Sequence, residues 1–316
     1  MYKGHAFVYR NVEDIKADID TVQAISDELT NVSVKMGQGG QITGEVGMTI
    51  LQANPSLNDN YCFITVFNWL NSGGKTAFLQ DADSMIMRPS EIIEVLKYLR
   101  ETLNTLTRVT SYTRSKTLAQ RKPAELKAIR EAGLDRLHVG LETGDDELLS
   151  VIRKGVTSAE QIDGGQKAVA AGFQLSEYWM PGLGGSEHWQ QHAKNTARVL
   201  TAINPNYIRS RPFLPRPGAP IFEDYVQGRL KISSPHERLK EIQLMIEGLN
   251  VNSRVCFDHT TNSWTNRRGG LLFHQGYEGY KLPEEKPLIL ELVHEGLLID
   301  EAKHLDVKDF ITIKTL

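Results

Sequence analysis

Acidic, basic and hydroxyl side chains fall at or just after a series of short apolar runs: Gln80, Asp81 and Asp83, then Ser111, Tyr112 and Arg114, then Glu142, then Glu177, then Arg209 and Arg211. Carboxylates can exchange protons or neutralise an ammonium group, and guanidinium groups hold carboxylate or phosphate. Side chains of these types along one common edge suggest a binding crevice. Glu142 is the leading candidate. It follows the apolar run 136–141 and precedes Thr143-Gly144-Asp145-Asp146, a turn able to cap the next helix. Sheets of parallel strands bind ligands at their carboxyl edge, where helix N-termini and strand-end side chains converge. The plain alternative for Glu142 is a solvated loop acid.

Two other stretches could carry chemistry. In Met180-Pro-Gly-Leu-Gly-Gly-Ser-Glu187 a strand runs directly into glycines, which let backbone approach a ligand before a helix starts. It lacks the Lys-Ser/Thr ending of a P-loop and the spacing of a dinucleotide fingerprint, so a phosphate cradle is the weaker reading and a tight turn remains open. Cys256, Asp258 and His259 are all metal-ligand types. Neighbouring side chains on one strand diverge, however, which disfavours a shared metal. His188, His192 and His236 fall on helical stretches and read as surface or packing histidines.

The elements that must position these residues alternate along the chain. Apolar residues at three- and four-residue steps predict a helix over 11–29, opened by Asn11 and Asp14. Residues 31–74 form an insertion: a loop at Gly37, Gly39 and Gly40, then helices over 45–52 and 61–70. Its Tyr61, Phe63, Phe67 and Trp69 read as packing more readily than as a pocket lining. From Lys75 onward, strands are expected at 76–79, 108–112, 136–141, 174–179 and 207–211. Amphipathic helices at 90–103, 123–132, 158–171 and 186–203 lie between them, each long enough for a parallel crossover. A proline-stiffened loop follows at 211–220, then a helix over 235–249, a strand over 254–257, an irregular stretch over 264–280, a helix over 284–298 and a small terminal strand over 310–316.

Composition narrows the function. The chain has 316 residues, 40% of them apolar, enough for one sizeable α/β domain with appendages. A net charge of -3 does not indicate a nucleic-acid partner, although Arg209, Arg211 and Arg216 could form a local anion site. No run approaches the ~18 apolar residues of a membrane span, and the first residues do not form a signal sequence, so a cytoplasmic location is expected. Two cysteines, Cys62 and Cys256, provide neither a disulfide framework nor a cysteine-held metal cluster.

Taken in order, these segments resemble the radical S-adenosylmethionine superfamily, in the branch that shares its core with methylthiotransferases, coproporphyrinogen dehydrogenases and elongator-type enzymes. Phe78-Leu-Gln-Asp-Ala-Asp-Ser-Met85 resembles the second-strand segment that binds the methionyl amino group, with Gln80 and Asp81 in place of the usual glycine pair. Gly140-Leu-Glu-Thr-Gly-Asp-Asp-Glu-Leu-Leu149 resembles the fourth-strand motif, which makes Glu142 a contact to methionine or ribose. Lys154 matches a basic residue that can pair with the methionine carboxylate. The stretch 180–185 resembles the fifth-strand glycine motif beside adenine, and 213–220 the sixth-strand loop. The resemblance spans roughly residues 75–225.

It implies a partial (β/α) TIM-like barrel with the first strand missing: residues 1–30 a first crossover helix, 31–74 a helical insertion, 75–225 the barrel core and 226–316 a C-terminal extension. The implied small-molecule ligand is S-adenosylmethionine, with cofactor contacts among Gln80, Asp81, Asp83, Ser111, Glu142, Lys154, Gly182, Gly184, Arg211 and Phe213. Complete relatives hold a 4Fe-4S cluster in a CxxxCxxC loop, open at one iron, and cleave the sulfonium to a 5′-deoxyadenosyl radical. This sequence has no such loop, so it is expected to start just downstream of it, with no cluster and no radical chemistry as given. Self-association through an exposed barrel edge at 76–79 is a further expectation. A decayed barrel serving as a binding or scaffold module, and a cluster-free enzyme using Asp81, Asp83 and Glu142, are the alternatives. The substrate is not legible.

Overall fold

The computed structural model describes residues 9–80 and 83–311. The chain divides into two compact units, one built from the residues up to Ser111 with Lys127–Asp135, the other from Tyr112–Leu126 with the residues from Arg136 onward. Among the described residues there are seven strands, and every recorded strand pairing but the last is parallel.

The first unit begins with helix α1 (Val12–Lys35), whose N-terminus is capped by the Asn11 side chain accepting from the Asp14 amide at 2.7 Å. The helix continues beyond the expected end near Leu29. Its added turn carries Val32, which packs on a cluster of Leu29, Val46, Ile50 and Phe63. The cluster is completed by α2 (Gly44–Ala53) and α3 (Tyr61–Asn71), which follow a turn after α1. Phe63 and Phe67 stack within it at 6.5 Å, which makes them packing residues. Strand β1 (Thr76–Leu79) leads through α4 (Pro89–Thr102) to β2 (Arg108–Thr113), and the strands pair in parallel from Thr76↔Arg108 to Leu79↔Ser111. Asp135 ties the unit together by accepting from Arg100, from Arg130 at 3.1 Å and from the Val109 amide at 2.7 Å.

The second unit holds α5 (Ser115–Gln120) and part of α6 (Pro123–Glu131), then β3 (Arg136–Glu142), α7 (Asp146–Val151), α8 (Ser158–Ala170), β4 (Gln174–Trp179), α9 (Gly185–Ile203) and β5 (Tyr207–Ser210). It continues through α10 (Pro220–Val226), α11 (Pro235–Gly248), β6 (Arg254–Cys256), β7 (Tyr280–Lys281) and α12 (Lys286–Leu297). Strands β3 to β6 pair in parallel in chain order, and β7 adds antiparallel to β6. Two helices start from full capping boxes, Thr157 with Glu160 and Ser234 with Glu237.

Side chains alternate across the strands. Leu137, Val139 and Leu141 of β3, with Leu175 and Trp179 of β4, are wholly buried; Trp179 meets His192 of α9, which identifies this face as the helix-covered one. The opposite face carries Arg136, His138, Ser176, Tyr178, Tyr207 and Arg209. Each buried leucine contributes about 2 kcal/mol, so the apolar face anchors the sheet and leaves the polar face for function.

Three short elements differ from the sequence reading. Helix α10 begins inside the expected stiff loop, because Pro220 occupies its first position, where a missing N–H costs nothing. Helix α5 and strand β7 are too short to show periodicity. The terminal strand expected over 310–316 falls mostly outside the described residues, and Phe310 itself closes a 3₁₀ turn. Among the described residues no helix is long and apolar enough to cross a membrane.

Candidate functional site

Glu142 closes β3 in the left-handed region, with φ 64°. A non-glycine residue there stores roughly 1 kcal/mol or more of strain, and the surroundings hold it in place. Its carbonyl accepts from the Met180 amide at 2.9 Å, the Leu141 carbonyl is held by Gln161 Nε2 at 2.9 Å, and the strand register shifts between Gly140 and Glu142. This reversal carries the carboxylate back over Gly140, where Lys154 Nζ donates to Glu142 Oε1 at 2.8 Å. Lys154 is positioned in turn by its amide, which donates to the Leu149 carbonyl at the end of α7, and by its carbonyl, which accepts from Arg114 Nη2 at 3.0 Å. Both side chains of the pair are 22% exposed, so solvent and ligands can reach them. Gly140 leaves the space in which the pair lies: a Cβ would stand 2.4 Å from Glu142 Oε1 and 3.1 Å from Lys154 Nζ.

The glycine turn after β4 is fixed from below. Gly182, at φ 87°, donates its amide to Glu241 Oε2 at 2.7 Å, and Glu241 Oε1 meets His192 Nδ1 at 2.5 Å; both side chains are fully buried. The Gly185 amide donates to the Gly182 carbonyl, and the Ser186 amide to the Lys231 carbonyl. These amides are therefore committed within the protein, which removes the basis for reading the stretch as a phosphate cradle. Gly184 lies against the first turn of α9, where a Cβ would stand 2.9 Å from the His188 carbonyl carbon. Phe213, itself buried, donates its amide to the Pro181 carbonyl at 2.8 Å, so the loop after β5 is pinned to the same turn.

On the polar sheet face, His138 Nδ1 and the Tyr178 hydroxyl are 2.6 Å apart, and Tyr112 meets the His138 ring edge-on. Arg209 is 1% exposed, bonded to Ser176 Oγ through Nε at 3.1 Å and to Asp258 through Nη1, and it stacks over Tyr277 at 4.1 Å. Its Nη2 is buried with no hydrogen-bond partner.

Glu177, counted with the strand-end acids, is not at the edge. It pairs in register with Val139 on the helix-covered face and is 1% exposed. Burial pushes its carboxyl up to about 8, with Lys154 opposing and Glu142 reinforcing the shift, and Oε2 has no hydrogen-bond partner. Adjacent Ser176 and Tyr178 are polar, so the sequence offered no alternation that would have exposed this placement.

The remaining expected residues are distributed between the two units. In the first, Gln80 is exposed at the end of β1, Asp83 is partly buried before a 3₁₀ turn, and Ser111 Oγ donates to the Leu79 carbonyl at 3.5 Å. Asp81 lies outside the described residues. In the second, Glu142, Lys154, Gly182, Gly184, Phe213 and Arg211 belong to one strand edge; Arg211 is exposed, and its amide extends the β5 ladder by donating to the Trp179 carbonyl at 2.9 Å. Cys256, Asp258 and His259 have separate commitments. The Cys256 thiol is buried and pushed up to about 12, Asp258 pairs with Arg209, and His259 Nδ1 meets Thr261 Oγ1 at 2.6 Å. Reasoning from sequence named Arg209 and Asp258 separately without pairing them, and it did not find Glu241 beneath the glycine turn.

A cavity of about 300 Å³ lies beside this edge, between α7, the first turn of α9 and the segment from Ile221 to Lys231, with an apolar floor of Leu148, Ile152 and Leu183.

Comparison with known proteins places this geometry in a context. The model of the Radical SAM superfamily matches residues 60–193. Among solved structures, the chain is similar to an archaeal Elp3 from Methanocaldococcus infernus with an N-terminal deletion (1-46), at 16% identity and a TM-score of 0.52, covering 78% of this chain and 62% of that one. It is also similar to coproporphyrinogen III oxidase (HemN) from Escherichia coli, described as a radical SAM enzyme, at 16% identity and a TM-score of 0.42, covering 55% of this chain and 39% of that one. The chain thus spans about three-fifths of the archaeal protein and less of the bacterial one. No curated protein sequence matches.

Proposed function

We propose that the chain is a protein of the radical S-adenosylmethionine superfamily, whose model matches residues 60–193, and that its second unit binds S-adenosylmethionine at the carboxyl edge of its parallel strands. The observation that carries the reading is the Glu142–Lys154 ion pair folded over Gly140. An adjacent carboxylate and ammonium complement a zwitterion: the methionyl ammonium takes Glu142, its carboxylate takes Lys154, and the internal pair opens as the ligand enters. The turn at Gly182 and Gly184, held by Glu241 and abutted by Phe213, provides the neighbouring backbone surface for the nucleoside.

The residues of this sequence do not fit a 4Fe-4S cluster. Three thiolates are required and two cysteines are present, Cys62 exposed on α3 and Cys256 buried, its thiol held protonated. We therefore derive no electron transfer or radical step for the chain.

Equilibrium dialysis of the purified chain against S-adenosylmethionine, before and after anaerobic treatment with iron and sulfide, tests both parts. Saturable binding of one ligand per chain, without the visible absorbance of a stoichiometric cluster, is the expected result. Absence of saturable binding would remove the ligand assignment, and a stoichiometric cluster would overturn the second part.

A further inference from the structure

The cavity of about 300 Å³ shares the glycine turn with the proposed ligand edge but is lined by none of Glu142, Lys154, Gly182 and Phe213, so it is a separate space. Its volume lies at the lower end for small-molecule pockets, roughly 300–1,000 Å³. Leu148 and Leu183 are buried in its floor, and Ile221 and Leu230 add apolar wall. Val151, which also lines it, is 64% exposed, so the space opens to solvent there. The wall formed by residues 221–231 is fixed. The Lys231 carbonyl accepts from the Ser186 amide at 2.9 Å, and a Cβ on Gly185 would stand 2.5 Å from that same oxygen.

Four carboxylates line this cavity against one lysine and one arginine. Lys231 Nζ pairs with Glu187 at 2.8 Å, with His188 acting on the same carboxylate, and Arg229 Nε donates to Asp224 at 2.8 Å. Asp145 and Glu147 are left, and neither has an ion pair among the described residues. Gln191 Nε2 donates to both, to Asp145 Oδ2 at 2.8 Å and to Glu147 Oε2 at 3.2 Å, which sets the two carboxylates side by side. Burial works against the charge on Asp145, but hydrogen bonds from the Leu148 amide, Gln191 and Asn195 outweigh it and hold the carboxyl below its usual range. Those three donors are neutral and cancel no charge. We propose that the cavity is a binding site for a small organic cation, a primary amine on an apolar body, with Glu147 as the direct contact of the ammonium and Asp145 adding charge behind it. Low-dielectric walls strengthen that attraction relative to water. A metal ion does not fit: among the described residues no group of three His, Cys, Asp or Glu side chains could hold one. A neutral ligand would fill the apolar part and leave both charges unanswered. The inference does not rest on the S-adenosylmethionine reading, whose contacts are Glu142 and Lys154.

Calorimetric titration of the full chain at low salt tests it, with 2-phenylethylammonium as the probe. Saturable binding is expected, at least tenfold tighter than that of 2-phenylethanol, which has the same apolar body and no charge. Glu147→Gln should weaken the amine at least tenfold and leave the alcohol unchanged, whereas Glu28→Gln, which removes the same charge from an exposed position on α1, should have no effect. Val151→Arg places a cation at the cavity from an exposed helical position and should abolish amine binding with the circular dichroism of the parent. Absence of saturable amine binding, equal affinity for amine and alcohol, or equal weakening in Glu28→Gln and Glu147→Gln overturns the proposal. A loss in Glu142→Gln as large as that in Glu147→Gln also overturns it, because the amine would then sit at the Glu142–Lys154 edge.

Discussion

Lys154 Nζ reaches Glu142 Oε1 at 2.8 Å above a residue that has no side chain, Gly140. Two features of the chain combine there. The left-handed turn at Glu142 sends its carboxylate backward over the sheet, and the segment after α7 returns Lys154 to the same point.

Gly140→Ala is the direct test of that geometry. The added methyl would stand 2.4 Å from the carboxylate oxygen, so the Glu142 carboxylate must leave its present position. S-adenosylmethionine affinity is expected to fall at least tenfold, about 1.4 kcal/mol, while circular dichroism remains that of the parent. Unchanged affinity would show that the pair does not shape the site.

Glu177 gives a pH prediction with a definite sign. Its folded-state carboxyl is raised from 4.5 to about 8, so below about pH 4.5 folded and unfolded chains are both protonated and the group has no effect. Above that, the unfolded chain releases the proton first, and stability declines by up to about 1.4 kcal/mol per pH unit until the folded pKa is reached. Glu177→Gln should remove this decline and make the protein more stable than the parent at pH 8, as read from urea unfolding at pH 5 and pH 8. An identical pH dependence in parent and variant would refute the buried-acid account.

Glu241 supports the glycine turn from a fully buried position. Glu241→Ala leaves the Gly182 amide and His192 without their acceptor, a loss of about 3 kcal/mol, visible as a lower urea midpoint. A change below about 1 kcal/mol would mean that the turn is held by other contacts.

Strands and crossover helices were legible in the sequence because burial on the helix-covered face imposes apolar runs there, as at Leu137, Val139 and Leu141. Thr76–Leu79 and Gln174–Trp179 have the expected limits, since a glycine pair before the first and Gly172 before the second punctuate them. The pairing of Lys154 with Glu142 was not legible from spacing, because it depends on a backbone reversal at a residue type that rarely adopts it. Burial of Glu177 was hidden for a different reason: strand alternation gives parity, but polar residues on both sides of Glu177 obscured which parity faced the helices. Nor could sequence distance join His192 to Glu241, which meet across two helices 49 residues apart.

In the proposed site Glu142 and Lys154 act together on one zwitterionic ligand. Calorimetric titration of S-adenosylmethionine into the parent, Glu142→Gln, Lys154→Gln and the double variant measures that most directly. Saturable binding to the parent is expected, with a loss of at least tenfold in each single variant and a double variant that loses measurably less than the two single losses combined, because either substitution alone leaves the other charge without its partner. Parent-like affinity in either single variant would contradict it.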